Sequence, residues 1–193
     1  ATLFRNGLWK ENATLFLHDV EIQPNSAKAN AAAGGVLVSQ GAVQKTPEEK
    51  KEKLTKAMQF SHKALAIYPK FVPPMLDLGM AHFLLGNLDS AKYYIKRAAE
   101  IEPKHNVVRN HSHVLAGHYL TAANDALKSG DLHRSIEATR EALAFVPEDG
   151  DVWFNLGLSL YRLKEYSDAV AAFEQAAKLK PESARVWDSL GSA

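Results

Sequence analysis

Five prolines partition this chain more firmly than any other feature of its sequence. Each closes a segment of helical character with a similar ending: EIQP at Pro24, AIYP at Pro69, EIEP at Pro103, AFVP at Pro147 and KLKP at Pro181. The intervals between them are 45, 34, 44 and 34 residues. Two agree, and the other two are longer by about ten residues, close to three helical turns. A period with insertions is the simplest description. A proline offers no backbone donor and disfavours helical geometry in the residue before it, so each of the five ends a helix.

Every interval carries two helical patterns. In the clearest, Trp153, Leu156, Gly157 and Leu160 recur at spacings of three and four, and after RLKEY the residues Ala169, Phe173, Ala176 and Leu179 do the same. A helix pair of this size cannot bury its apolar face alone, so it must stack on neighbouring pairs. The echo of DVWFNLG in RVWDSLG, thirty-four residues on, follows from that need.

These residues resemble the tetratricopeptide-repeat family. Trp153, Leu156, Gly157, Ala169, Phe173, Ala176 and Pro181 match its signature in identity and spacing. Tyr119, Ala122, Ala123, Ala126, Ser135, Ala142 and Pro147 carry a looser version, and Met75, Leu78, Gly79, Ala91, Ile95, Ala98 and Pro103 an earlier one. The resemblance implies an all-α fold, a right-handed α–α superhelical solenoid of antiparallel helix pairs. On this basis residues 1–193 are expected to form a single array. It would comprise a half-repeat helix over 7–23, an insertion-bearing repeat over 24–69, a repeat over 70–103, one with an extended first helix over 104–147, a repeat over 148–181, and a truncated first helix over 182–193. Gly157 and Ala169 are expected to let helices approach closely, and Trp153 and Phe173 to fill the space between units.

The insertions have local signals. Thr46-Pro47-Glu48-Glu49 supplies an N-cap, a first-turn proline and a capping-box Glu, so a long helix should run from there to about Tyr68. Val107, His111, Val114, His118 and Ala122 keep helical spacing, which predicts a first helix lengthened at its start. FVPPM reads as a first-turn proline signal. Near the beginning, Arg5, Asn6, Trp9, Leu15, Phe16 and Pro24 form an RNxxW…LF…P pattern. It resembles the start of the repeat array in membrane-embedded O-mannosyltransferase-like proteins. Residue 1 is an Ala that leads straight into patterned sequence, and the chain reads as a portion of something larger.

Several chemistries find no support. With no Cys, thiol catalysis, disulfides and thiolate metal sites are excluded. A formal charge of +1 gives no general pull toward nucleic acid, and the longest apolar run, Ala31 to Val38, is too short for membrane insertion. Among eight His, His111 and His118 share a helix face but lie two turns apart, about 10 Å, too far to chelate one ion without a third ligand. No HExxH, G-x-S-x-G or phosphate-cradling loop occurs, and Gly34-Gly35 in an Ala-rich helix indicates close packing. We expect no catalytic residue, no metal and no cofactor. EEKKEK reads as a solvated face with Glu49–Lys53 and Glu52–Lys56 pairs. The triplets at Asn12 and Asn110 fall in helical sequence and read as chance matches to the glycosylation motif.

What remains is the face of each first helix away from the core. The i, i+3, i+7 stripes there are Asp77, Met80 and Leu84; Thr121, Asn124 and Lys128; and Asn155, Leu158 and Arg162. In arrays of the family these positions line the concave surface, and the mixture of amide, charge and apolar groups suits an extended peptide or helix of a partner protein. The bland alternative, strongest for Leu84 and Leu158, is that they are merely exposed or touch the next unit. Family members that grip C-terminal carboxylates use basic and Asn residues at fixed positions. Asn124, Asn155 and Arg185 match that set while Leu120 and Ser189 depart from it, so no carboxylate clamp is expected. The function this implies is a noncatalytic protein-interaction scaffold. The alternatives are the soluble acceptor-positioning arm of a membrane glycosyltransferase and, remotely, a His-rich metalloenzyme. A free-standing scaffold would sit in the cytoplasm, and the glycosyltransferase arm in the periplasm or a lumen. Trp187 and Leu190 on the last helix would leave an apolar patch that favours self-association.

Overall fold

The computed structural model describes residues 14–193, and the regular structure among them is entirely helical. A helical stretch over 14–22 (α1) precedes α2 (Ala27–Ala42), α3 (Pro47–Ile67), α4 (Val72–Leu84), α5 (Leu88–Ile101) and α6 (Asn106–Ser129). Then come α7 (Leu132–Leu143), α8 (Gly150–Arg162), α9 (Tyr166–Leu179) and α10 (Ala184–Ser192). Arg5, Asn6 and Trp9, which carry part of the mannosyltransferase-like pattern, lie outside the described residues, as does Asn12. The fold divides into two compact units, the first extending to His111 and the second from Ser112 to Ala193.

In unit 1 the local start signals act as their chemistry dictates. Ser26 Oγ accepts from Ala29 N–H at 3.3 Å, and Thr46 Oγ1 accepts from Glu49 N–H at 3.3 Å. Each satisfies a donor that the first helical turn leaves free, while Glu48 and Glu49 face the positive end of the helix dipole. Lys53, expected to pair along its own helix with Glu49, donates across to Gln40 Oε1 of α2 at 3.1 Å. Helices α2 and α3 pack at glycines. A Cβ on Gly34 would stand 2.6 Å from Ser61 Oγ, and one on Gly41 2.7 Å from Leu54. This close approach builds a core of Leu37, Val38, Leu54, Ala57 and Ala81, against which Leu17 of α1 also packs. A second cluster joins Val72, Met75, Leu76, Ala98 and Val108.

The tight turns that close the first helix of a pair share one hydrogen-bond arrangement. Gly86 has φ +80°, Gly130 has φ +81° and Lys164 has φ +68°. The N–H after each reaches back over the turn: Asn87 to His82 O, Asp131 to Ala126 O and Glu165 to Leu160 O, all at 2.9–3.0 Å. This is the left-handed cap that saturates the last carbonyls of a helix. Glycine adopts it freely, and Lys164 does not.

In unit 2 a Cβ on Gly157 would lie 2.5 Å from the Phe173 ring, so only glycine lets α8 and α9 meet there. Phe173 is 1% exposed and meets Phe154 with ring centroids 5.6 Å apart. It therefore fills space inside its own helix pair, a correction to the expectation that it sits between units. Three buried hydroxyls are satisfied: Ser135 Oγ and Ser159 Oγ are 3.3 Å apart, joining α7 to α8, and Thr139 Oγ1 donates to Ser135 O. The repeated tryptophans are half-buried or exposed rather than core, and each has a polar task. Trp153 Nε1 donates to Pro147 O and Trp187 Nε1 to Pro181 O, both at 2.9 Å, tying each proline turn to the helix that follows.

Candidate functional site

The nine stripe residues fall into three environments. On α4, Met80 and Leu84 are half-buried and pack against the Leu37–Leu54 core. Asp77, on the same stripe, also leans toward α2: a Cβ on Gly35 would lie 3.3 Å from its Oδ1 and 3.4 Å from its Oδ2. Burial raises its pKa from 3.8 to about 7, with no charged neighbour among the causes. Asp77 makes no hydrogen bond and no ion pair among the described residues.

On α6, Thr121, Asn124 and Lys128 are exposed. Thr121 Oγ1 donates back to Gly117 O at 2.9 Å, and Lys128 stands 3.6 Å from Asp125 in a solvated i,i+3 pair. On α8, Asn155 and Leu158 are half-buried and Arg162 is exposed. The Asn155 carbonyl oxygen accepts from Ser159 Oγ at 3.1 Å, while its side-chain amide and the Arg162 guanidinium make no bond among the described residues. Both are therefore available to a ligand without first breaking an internal contact.

Arg185, one of the three clamp-like residues, is engaged inside the protein. Its guanidinium lies 4.3 Å from the centroid of the Phe154 ring, with Nη2 at 4.0 Å from Asp151 Oδ1. Asp151 also holds Lys180. Sequence reasoning missed Phe154, because its counterpart in the echoing stretch is Asp188 and the repeat gives no hint of a core role. It also missed a cleft of about 440 Å³ in unit 2, lined by Leu143, Trp153, Leu156, Leu160 and Ala172, with the 3.9 Å Arg140–Asp168 pair on its wall.

Among the described residues no three His, Asp or Glu side chains gather as metal ligands, and no helix is long and apolar enough to cross a membrane. His111 Nδ1 lies 2.8 Å from Val107 O, within its own helix. Asn110 lies exposed on α6.

Helix pairs of this length, with glycine at the crossing and proline at the close, define a helical-repeat protein. Tetratricopeptide-repeat models match residues 73–105 and 120–184. The chain therefore carries tetratricopeptide repeats. Tetratricopeptide repeat-containing protein trd-1 of Caenorhabditis elegans is 21% identical over 131 residues, which is 68% of this chain. The match spans only 16% of that relative's length. Among solved structures, a crystal structure of MamA protein is 16% identical with TM-score 0.50, covering 94% of this chain and 87% of that one. A second MamA structure (MamA AMB-1, P212121) is 18% identical with TM-score 0.51, covering 93% and 87%. At these identities the likeness concerns the fold.

Proposed function

We propose that this chain is a noncatalytic scaffold that binds a segment of a partner protein along the outward faces of its first helices. The repeat spans 24–69, 70–103, 104–147 and 148–181 are its units on this reading. The observation that carries it is the unengaged polarity of Asn155 and Arg162 on α8, together with the exposure of Asn124 on α6. Repeat stacking leaves these side chains with nothing to do, and an extended peptide or helix is what such stripes accept.

The test is capture of peptides from a random library by the whole chain. Asn155→Ala combined with Arg162→Ala is expected to weaken capture at least several-fold and leave the melting temperature nearly unchanged, since neither side chain supports the core. Undiminished capture would move the binding face elsewhere. The second reading, an acceptor-positioning arm of a membrane glycosyltransferase, is favoured by the Arg5–Pro24 pattern. Several apolar runs of spanning length upstream in the parent sequence would support it, and a parent without them would remove it.

A further inference from the structure

We propose that Asp77 forms an anionic subsite on the α2–α4 face of unit 1, and that it takes the ammonium or guanidinium of a Lys or Arg in an extended partner polypeptide. The proposal rests on the scaffold reading above and names the chemistry of the partner.

Three observations converge on it. The first is the missing partner. A half-buried carboxylate normally accepts hydrogen bonds or faces a cation, because withdrawal from water is otherwise unfavourable. Asp77 does neither among the described residues. Elements α2, α3 and α5 pack on α4, with Val108 of α6 joining its core and Leu17 of α1 packing beside Ala81, and among the described residues burial alone raises the Asp77 pKa. The second is the wall opposite. Gly35 presents bare backbone to the carboxylate, where a Cβ would stand 3.3 Å from Oδ1 and 3.4 Å from Oδ2, so a larger residue would crowd it. The third is the floor. Met80 and Leu84 follow Asp77 on the same stripe, half-buried over the core, and offer an apolar track for the methylene stem of a long cationic side chain. Net charge does not supply the attraction: the chain is formally +1, so any preference for basic peptides must arise locally.

The site carries its own signature. A cation binds the ionised carboxylate, so capture below about pH 7 first requires a proton to leave Asp77. Apparent affinity then scales with the ionised fraction.

The experiment uses the full chain and bead-displayed peptides of about ten residues, random in sequence and free of His. Wild type is expected to enrich Lys or Arg at one position. Asp77→Asn, which keeps the shape and loses the charge, should still capture peptides but lose that enrichment, and Asp77→Glu should keep it. For one enriched peptide, wild type should bind about tenfold more tightly near pH 8 than near pH 6, and Asp77→Asn should show no such change. Peptide capture by wild type without basic enrichment, or basic enrichment that survives in Asp77→Asn, overturns the proposal and leaves the scaffold reading standing. Absence of any peptide capture overturns both.

Discussion

The two units solve the same packing problem with different polar economies. In unit 2 the buried hydroxyls of Ser135, Thr139 and Ser159 bond to one another or to backbone carbonyls. In unit 1, Asn30 Oδ1, Ser61 Oγ and His82 Nδ1 are buried without a hydrogen-bond partner among the described residues, and Asp77 is half-buried without one there. Each such group lowers the stability of its surroundings relative to a satisfied one. The cause is traceable. Unit 1 brings α2 against α3 at glycines, and at Gly34 the closeness that allows dense packing leaves Ser61 no donor or acceptor. In unit 2, Gly157 is faced by the Phe173 ring and Gly150 by the Leu179 and Lys180 side chains, carbon contacts that strand no hydroxyl.

The contrast extends to pH. Asp77 holds a proton in the folded state that the unfolded chain has lost, so stability in unit 1 falls as pH rises from about 4 to about 7. His82 behaves oppositely. Burial, with the charge of His62 adding, lowers its pKa below 6.5, so the unfolded chain binds that proton more readily and stability is lost as pH falls through that lowered value. Its stacked partner Tyr94, at 5.8 Å, is pushed upward by burial, with Tyr93 adding. In unit 2 the Lys180 ammonium is held above its ordinary value by its bond to Asp151.

The contrast is most sharply challenged by Phe173→Ala. It should destabilise unit 2 by about 3–5 kcal/mol, because the ring is buried against Phe154 and Gly157 and its loss leaves a cavity. Denaturant unfolding followed by Trp153 and Trp187 fluorescence reads this directly. Next comes Asp77→Asn, expected to stabilise unit 1 by on the order of 1–3 kcal/mol near pH 8, with the gain shrinking toward pH 4. Hydrogen exchange of α2 and α4 amides across that range would show it, and a gain independent of pH would mean Asp77 is solvated like a surface residue. Gly157→Ala should cost about 1–2 kcal/mol, the overpacking against Phe173 outweighing the helix propensity gained. Smallest is Lys164→Gly. Relief of the left-handed backbone should stabilise unit 2 by about 1 kcal/mol, seen as a rise of a few degrees in melting temperature.

How far these differences could be read beforehand varies by residue. The proline-closed helices and the Gly157–Phe173 positions were legible because they recur or fit a family signature. The turn signal was half legible. Gly86 and Gly130 each precede their closing proline by seventeen residues, but Lys164 stands at the third such position and hides the pattern. Asp77, Thr121 and Asn155 occupy equivalent polar positions, and nothing in one helix reveals that only the first leans on a glycine of another. The half-burial of Met80 and Leu84 was hidden for the same reason. A stripe is a property of one helix, whereas burial depends on how closely its neighbour can approach.

The indole bonds to Pro147 and Pro181 bear on how such a chain can be recombined. Each clasp joins a carbonyl at the close of one repeat to a ring in the first turns of the next, so the natural seam lies beyond the tryptophan and not at the proline. A graft or duplication cut between Pro147 and Trp153 would orphan both halves of the clasp. Moving the junction past Trp153 would let each transplanted module arrive with its fastening closed.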